Sequence, residues 1–418
     1  MLELPKVSED HLTALSTYAP RVSAFTPLRY RDFRLLWTGL VIANIGSWMQ
    51  FVALGYLVDR LTKEPLYLGI LAASQAVPRL LFALVGGTIA DRVDRRRVLV
   101  LTNLLLMGSA TALAVLTATG LIQVWQIMVL AAVNSLAMSF DMPARHSMLP
   151  ELVGENQLLS AVGLSALAYN GAGIFGPSLG GVIIAAVGEA GCFALNAVSY
   201  IGVLLAVMRM RIPPSRAAGH LTVSQDVREG LRLLFENRRL LLLLGAVWSL
   251  SFFGRPYVQM MPAFAREVLM VDARGLGVLQ AAAGMGTIAS VLLLARLSAG
   301  RGIGAILGFA MLAFGALVTI FGLTRWFWLA LGLLVLIGAA QALALASANT
   351  LIQLAAPPFA RGRMMGFYSM MTFGGFALGS LPVGAAAGAV GVGPALSAGG
   401  ALVITIAIAI LPQLRRIE

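Results

Sequence analysis

The sequence predicts an all-α integral membrane protein: twelve transmembrane helices forming two six-helix bundles with pseudo-two-fold symmetry around a central cavity. Three observations carry that prediction. Of the 418 residues, 59% are hydrophobic and only 11% charged, and the mean hydropathy is +0.87, a balance that water-soluble globules do not carry. Apolar runs recur along the chain near the ~20 residues that cross ~30 Å of hydrocarbon at about 1.5 Å per residue. One long polar stretch, 209–239, divides those runs six and six.

The runs lie at 35–58, 66–89, 98–119, 123–141, 158–187, 190–208, 240–264, 275–297, 302–323, 327–352, 363–388 and 393–412. Backbone polar groups in lipid must be satisfied within the segment, and the alternation of a strand is absent, so the runs read as helices. Their abundant Gly and Ala suit close helix-to-helix approach. The bundles are expected at 35–208 and 240–412, with tails at 1–34 and 413–418. The first tail shows no apolar core followed by a small-residue cleavage site, so no secretory signal is expected in it.

Arginine placement sets the orientation. Arg92, Arg95, Arg96 and Arg97 fill one loop, and Arg209, Arg211, Arg216, Arg228, Arg232, Arg238 and Arg239 the central one, whereas the connections at Asp59 to Glu64, Gly120, and Gly188 to Gly191 carry no such excess. The arginine-rich loops are expected in the cytoplasm, and an even number of spans then puts both termini there, in a multi-pass inner membrane protein. The net charge of +12 therefore reports topology and not nucleic-acid binding.

Within 209–239, Val223, Val227, Leu231 and Leu234 recur at helical spacing beneath a charged face, and Thr222 with Gln225 has the form of a capping box, which predicts an amphipathic surface helix. Leu68-Gly69-Ile70-Leu71 opens the second run and Leu276-Gly277-Val278-Leu279 the eighth. This short repeat fits two bundles related by an axis along the membrane normal.

Residues that carry chemistry are few. Cys192 stands alone and reads as a small buried apolar residue, and His11, His146 and His220 are far apart, so neither a disulfide framework nor a metal site is expected. No Gly-x-x-x-x-Gly-Lys-Ser/Thr loop is present, and no cofactor is expected. Arg79 and Arg255 sit well inside the second and seventh runs. A central arginine costs about 2.5–3.5 kcal/mol unless paired or hydrated, so both are expected to face the cavity. The structural alternative is bonding to carbonyls freed by the adjacent Pro78 and Pro256, or snorkelling outward. No carboxylate lies at comparable depth, so a cationic solute would find no counter-charge and an anionic or catechol-like one would find two. Asn44, Gln50, Gln75, Asn134, Asn170, Tyr257, Gln280, Gln341 and Asn349 either line the same cavity or bond helices together. Asp59, at the outer end of the first run, is the candidate for proton coupling, with helix-end solvation as the plainer reading.

The segment Gly87-Thr88-Ile89-Ala90-Asp91-Arg92-Val93-Asp94-Arg95-Arg96-Arg97 resembles the signature loop of the major facilitator superfamily, with Asp94 where the family usually has glycine. The resemblance implies close helix approach at Gly87, acceptance of helix N–H groups by Asp91, and a cytoplasmic gate made by Arg92, Arg95 and Arg96 with carboxylates. Asp141, at the end of the fourth run, is the expected partner of Arg92 or Arg95, as a latch that stabilises an outward-facing state. Gly176-Pro177-Ser178-Leu179-Gly180-Gly181 resembles the segment of the superfamily's exporters and antiporters, which makes Gly176, Pro177, Gly180 and Gly181 an expected bend and packing face.

Asp141-Met142-Pro143-Ala144-Arg145, Leu149-Pro150-Glu151-Leu152-Val153, Glu229-Gly230-Leu231-Arg232-Leu233-Leu234 and Arg361-Gly362-Arg363-Met364-Met365-Gly366 resemble the transmembrane secretion effector branch, which includes enterobactin exporters and macrolide efflux proteins. That resemblance implies proton-driven export of a small organic solute, siderophore-like or drug-like, by alternating access, and a monomer in lipid is expected. An importer or lipid flippase on the same fold is the alternative. A membrane-embedded enzyme would need clustered catalytic groups, which the scattered histidines do not supply.

Overall fold

A computed structural model describes residues 25–92, 94–210, 232–297, 302–357 and 360–414; the side chains of 83–92, 155, 170 and 291–297 are outside that description. Each of the twelve apolar runs is occupied by helix. We number them α1 (Arg31–Thr62), α2 (Pro65–Arg92), α3 (Arg95–Ala118), α4 (Val124–Val153), α5 and α6 (together Leu158–Arg209), α7 (Arg238–Glu267), α8 (Ala273–Leu297), α9 (Ile303–Leu323), α10 (Phe327–Ala355), α11 (Arg361–Val390) and α12 (Val392–Leu414). Among the described residues, ten helices are long and apolar enough to cross a membrane; that count takes Leu158–Arg209 once and does not include α8.

Local chemistry explains the breaks. Gly188, at φ 75° and ψ 178°, interrupts the 52-residue stretch and separates α5 from α6, a backbone state that a side chain would oppose. α7 is broken in the middle: a π-turn over Leu250–Gly254 lets Arg255 N–H reach the Leu250 carbonyl at 3.0 Å just before Pro256, which has no N–H to give. α4 runs on to Val153, past the expected end at 141, and carries Pro143 and Pro150 within it. The expected amphipathic helix falls mostly on 211–231, outside the described residues. Of its apolar face only Leu234 is described, and it is buried, near an Arg232–Glu236 pair at 2.7 Å.

Helix pairing repeats with a shift of six: α2 packs on α4 as α8 packs on α10, α3 on α4 as α9 on α10, and α3 on α6 as α9 on α12. The two halves meet through α2 against α11 and α5 against α8, a pair of contacts that the same shift exchanges. Because successive helices reverse direction, the molecule has a terminal face, where the described chain begins and ends, and a distal face, which carries the connections at 63–64, 119–123, 188, 268–272, 324–326 and 391.

The short sequence repeat acquires a physical meaning at this interface. A Cβ on Gly69 would lie 2.5 Å from the Ser380 carbonyl oxygen of α11, and one on Gly277 would lie 2.7 Å from the Pro177 carbonyl oxygen of α5. Facing them, a Cβ on Gly384 would meet the Pro65 carbonyl at 2.8 Å, and one on Gly181 the Ala273 carbonyl at 2.5 Å. Both inter-half seams are thus backbone-to-backbone near the distal face, and neither has room for a methyl group.

Candidate transport cavity and gates

A cavity of about 240 Å³ lies between the halves, lined from the first by Asn44, Ser47, Trp48, Gln50, Phe51, Gln75, Arg79, Asn134, Met138 and Tyr169, and from the second by Arg255, Val258, Phe373 and Phe376. Arg79 stands midway along α2 and Arg255 midway along α7, where the kink turns it. The Arg79 guanidinium carbon is 5.4 Å from the ring centroid of Phe373, across the seam on α11, and that of Arg255 is 5.3 Å from Phe376 one turn further along. Arg255 Nη1 also donates to the Thr372 carbonyl oxygen at 3.2 Å, so the carbonyl it bonds belongs to α11 and not to its own proline-broken helix. A cation over a ring contributes about 0.5–2 kcal/mol, less than the about 2.5–3.5 kcal/mol that a central arginine costs in lipid. Two donors at the cavity, Trp48 Nε1 and Arg255 Nε, are buried without a hydrogen-bond partner.

The expected polar residues separate into two groups. Asn44, Gln50, Gln75, Asn134, Arg79 and Arg255 line the cavity together, with Gln50 accepting from Asn196 Nδ2 at 2.7 Å and the Gln75 carbonyl accepting from Ser135. Tyr257, Gln280, Gln341 and Asn349 are not among the lining residues. Tyr257 is buried against Phe314 and Phe321 and donates to Gln341 Oε1 at 3.2 Å, so this pair ties α7 to α10 inside the second half. Asn349 accepts from Gln353 Nε2 at 2.5 Å on its own helix. The side chain of Asn170 lies outside the described residues. Aromatic lining residues were missed by sequence reasoning, which looked for polar groups; Trp48, Phe51 and Tyr169 cluster at ring separations of 5.8 and 6.0 Å.

The exporter-like segment of α5 serves two neighbours. Gly176 and Gly180 admit α1, where added Cβ atoms would strike Trp48 and approach Met49 Cα at 3.2 Å, while Pro177 and Gly181 meet Gly277 of α8.

At the distal face Asp59 is not a solvated helix end. It is 3% exposed and accepts two bonds from Arg266, Nε at 2.7 Å and Nη2 at 2.9 Å, from the other half. Arg266 also reaches Glu267 at 2.9 Å. Beside this pair, Arg60 meets the buried Glu189 at 2.8 Å within the first half.

At the terminal face Arg95 is not the partner of Asp141, and the Arg92 alternative lies outside the described residues. Asp141 is fully buried and pairs with Arg145, Nε to Oδ2 at 2.5 Å one turn along α4, while Thr102 Oγ1 and Asn103 Nδ2 each donate to Oδ1 at 2.9 Å. Arg95 instead pairs with Glu151 and donates to the Ser147 carbonyl at 3.1 Å, and Arg96 donates to the Met208 carbonyl at 2.6 Å. The geometric reason is i,i+4 proximity: α4 stays helical through Pro143 and carries Arg145 onto the Asp141 side of the helix. Asp94 caps α3 by accepting from Arg96 N at 2.9 Å, which gives this substituted position a role. Gly87, Asp91 and Arg92 lie where side chains are outside the described residues.

A family model described as transmembrane secretion effector matches residues 22–418. The chain belongs to this family of major facilitator transporters. Its family relatives include an uncharacterized MFS-type transporter YfiS of Bacillus subtilis, 32% identical over 49% of each chain. Macrolide efflux protein A of Streptococcus pyogenes is 24% identical over 54% of this chain and 58% of that one. Multidrug efflux pump Tap of Mycolicibacterium fortuitum is 30% identical over 46% and 49%. The matched stretches thus span about half the length of these curated relatives. Among solved structures, the nucleoside transporter NupG superposes with a TM-score of 0.76 at 12% identity, covering 92% of this chain and 99% of that one. A bacterial homologue of the lysosomal transporter Spinster, titled inward-facing and occupied, gives 0.75 at 14%, covering 94% and 98%. These likenesses establish the fold. Among the described residues no cluster of His, Cys, Asp and Glu is arranged to hold a metal ion.

Proposed function

We propose that the protein is a secondary active exporter that carries a small organic solute out of the cytoplasm by rocking its two halves about the central cavity, with the proton gradient as its source of energy. The observation that carries this reading is the closure seen among the described residues: the two glycine seams and the Asp59–Arg266 pair join the halves on the distal side of the cavity. The arginine-rich connections fall on the terminal side, which supports a cytoplasmic location for that face under the positive-inside rule. The arrangement is then the state that loads from the cytoplasm, with both termini inside. The names of the macrolide and multidrug efflux relatives favour export, and a staphyloferrin A transporter of Staphylococcus aureus, 24% identical over 60% of this chain and 63% of that one, favours a siderophore-sized cargo.

Asp59 supplies the coupling step in this reading. Protonation of its carboxylate removes one charge of the inter-half pair and releases Arg266, which loosens the distal seal. The cavity arginines and amides hold the solute during the exchange.

Accumulation of catechol siderophores, macrolides and cationic dyes is measured in cells lacking their own exporters, with and without this protein and with a protonophore. Gradient-dependent loss of one class is expected. Gradient-dependent uptake would replace export by import, and loss that survives the protonophore would remove proton coupling.

A further inference from the structure

We infer that the central cavity selects organic anions with a flat apolar body, the anionic group being received by Arg79 and Arg255 together and the body lying among the aromatic side chains. The inference rests on the transport reading above and adds the charge of the cargo to it.

Four observations converge. Both guanidinium groups line one cavity, one from each half, and they stack on Phe373 and Phe376. Those rings are three residues apart on one helix and so share a face, which brings the two cations onto adjacent turns. Among the described lining residues there is no carboxylate, so two positive charges stand without a counter-ion in a low-dielectric setting. Trp48 Nε1 and Arg255 Nε are buried donors without acceptors, and both belong to the lining. Unused donors and uncompensated cations ask for a ligand rich in acceptor oxygens.

The resting contacts suit a site that must release its ligand. Each arginine is held by a ring face and, for Arg255, one carbonyl oxygen. An oxyanion can draw the guanidinium from such partners, because a charge-assisted bond is stronger than either, and on departure the rings take the cations back. The apolar body of the ligand then meets Trp48, Phe51 and Tyr169, so that a carboxylate on an aromatic ring matches both halves of the lining. A cation of the same shape would meet repulsion from two like charges.

The test uses the full chain in nanodiscs and three probes with one body: 2-naphthoate, 2-naphthylmethanol and 2-naphthylmethylammonium. Binding is read by probe fluorescence with empty nanodiscs subtracted. Naphthoate is expected to bind at least ~10-fold more tightly than the ammonium probe, with the alcohol between them. Arg79→Gln and Arg255→Gln are expected to erase that preference, while Arg79→Lys and Arg255→Lys retain part of it, which separates loss of charge from loss of fold. Equal or tighter binding of the ammonium probe, no binding of naphthoate, or an anion preference that survives both glutamine variants would each overturn the inference. Export of a cationic dye against a gradient, with no naphthoate binding, would leave the transport reading standing and remove only this one. Naphthoate binding without any gradient-driven movement of solutes would do the reverse.

Discussion

Both faces of the bundle carry buried ion pairs, yet the pairs join different things. At the distal face Asp59 of α1 and Arg266 of α7 reach from one half to the other, 207 residues apart in sequence. At the terminal face Asp141 with Arg145, Arg95 with Glu151, and Arg96 with the Met208 carbonyl all remain inside the first half. Among the described residues the glycine approaches between halves, from Gly284 on Ile174 to Gly69 on Ser380 and Gly181 on Ala273, run from mid-depth to the distal face. Among the described residues the bridge between halves is at the distal face, beside the Arg60–Glu189 pair that stiffens the first half there, while the terminal-face pairs named above all stiffen the first half. A bridge can be made and broken during transport, whereas a pair within one half moves as part of a rigid body.

The seams give the largest expected effect. Gly277→Leu places a side chain against the Pro177 carbonyl and the Gly181 Cα, where a Cβ alone would sit at 2.7 and 2.9 Å. Overpacking of this kind costs about 1–3 kcal/mol or more, and here both neighbours are backbone. Distal closure should be blocked, transport should fall by ~10-fold or more, and a cysteine at Ala265, buried beside the Asp59–Arg266 pair, should become more reactive to an impermeant thiol reagent. Unchanged labelling and transport would show that the seam is not a closing surface. The matching change Gly69→Leu at the Ser380 carbonyl should behave alike if the two seams are equivalent.

Breaking the bridge comes next. Asp59→Asn removes charge-assisted bonds worth about 1.5–3 kcal/mol, and that energy belongs to the distally closed state alone. The population should shift roughly ten- to a hundredfold toward the distally open state, readable as inter-spin distance across α1 and α7. Arg266→Gln should do the same, and the exchanged pair Asp59→Arg with Arg266→Asp should recover part of the closure. Equal distance distributions in wild type and Asp59→Asn would separate this pair from gating.

What the sequence made legible follows from what lipid demands. Spans were readable because hydrocarbon thickness dictates length, and the turn at Gly188 because a polar-to-apolar boundary surrounds it. Arg79 and Arg255 were placed at the cavity because a cation at mid-span is too costly to face lipid. The aromatic lining was not legible, since Trp48 or Phe373 facing a cavity has the same pattern as one facing acyl chains. For Tyr257, Gln341 and Asn349 the sequence leaves cavity and interhelical bonding open, because a polar group in lipid needs a partner but that need does not say whether the partner is a ligand or another helix. Asp59 had a partner in the other half, and no spacing rule reaches that far. The pairing of Asp141 with Arg145 does have a signal, the i,i+4 spacing on one helix.

The terminal-face cluster sharpens the comparison from the other side. Asp141→Asn removes the charge and one of the two acceptor oxygens, so that the remaining amide oxygen cannot serve both Arg145 and the Thr102–Asn103 donors. The first half should lose thermal stability, by about 1.5–3 kcal/mol for the charge-assisted bonds, while the inter-half distances that respond to Asp59→Asn stay where they are. A change in those distances would mean that the terminal cluster also reports on the other half.

The smallest effect is expected at a polar pair that looks functional in sequence and lies outside the cavity. Tyr257→Phe deletes the hydroxyl that donates to Gln341 and keeps the ring packed against Phe314 and Phe321. Interhelical bonds of this sort average about 0.6 kcal/mol in membrane proteins, so the melting temperature should move slightly and the affinity for cavity ligands should not move at all. Gln341→Leu should give the same result from the α10 side, because each change removes one member of a single bond. A pronounced loss of ligand affinity in Tyr257→Phe with unchanged stability would place Tyr257 in contact with the solute in another state of the cycle, and would make α7 a helix that rotates as the halves rock.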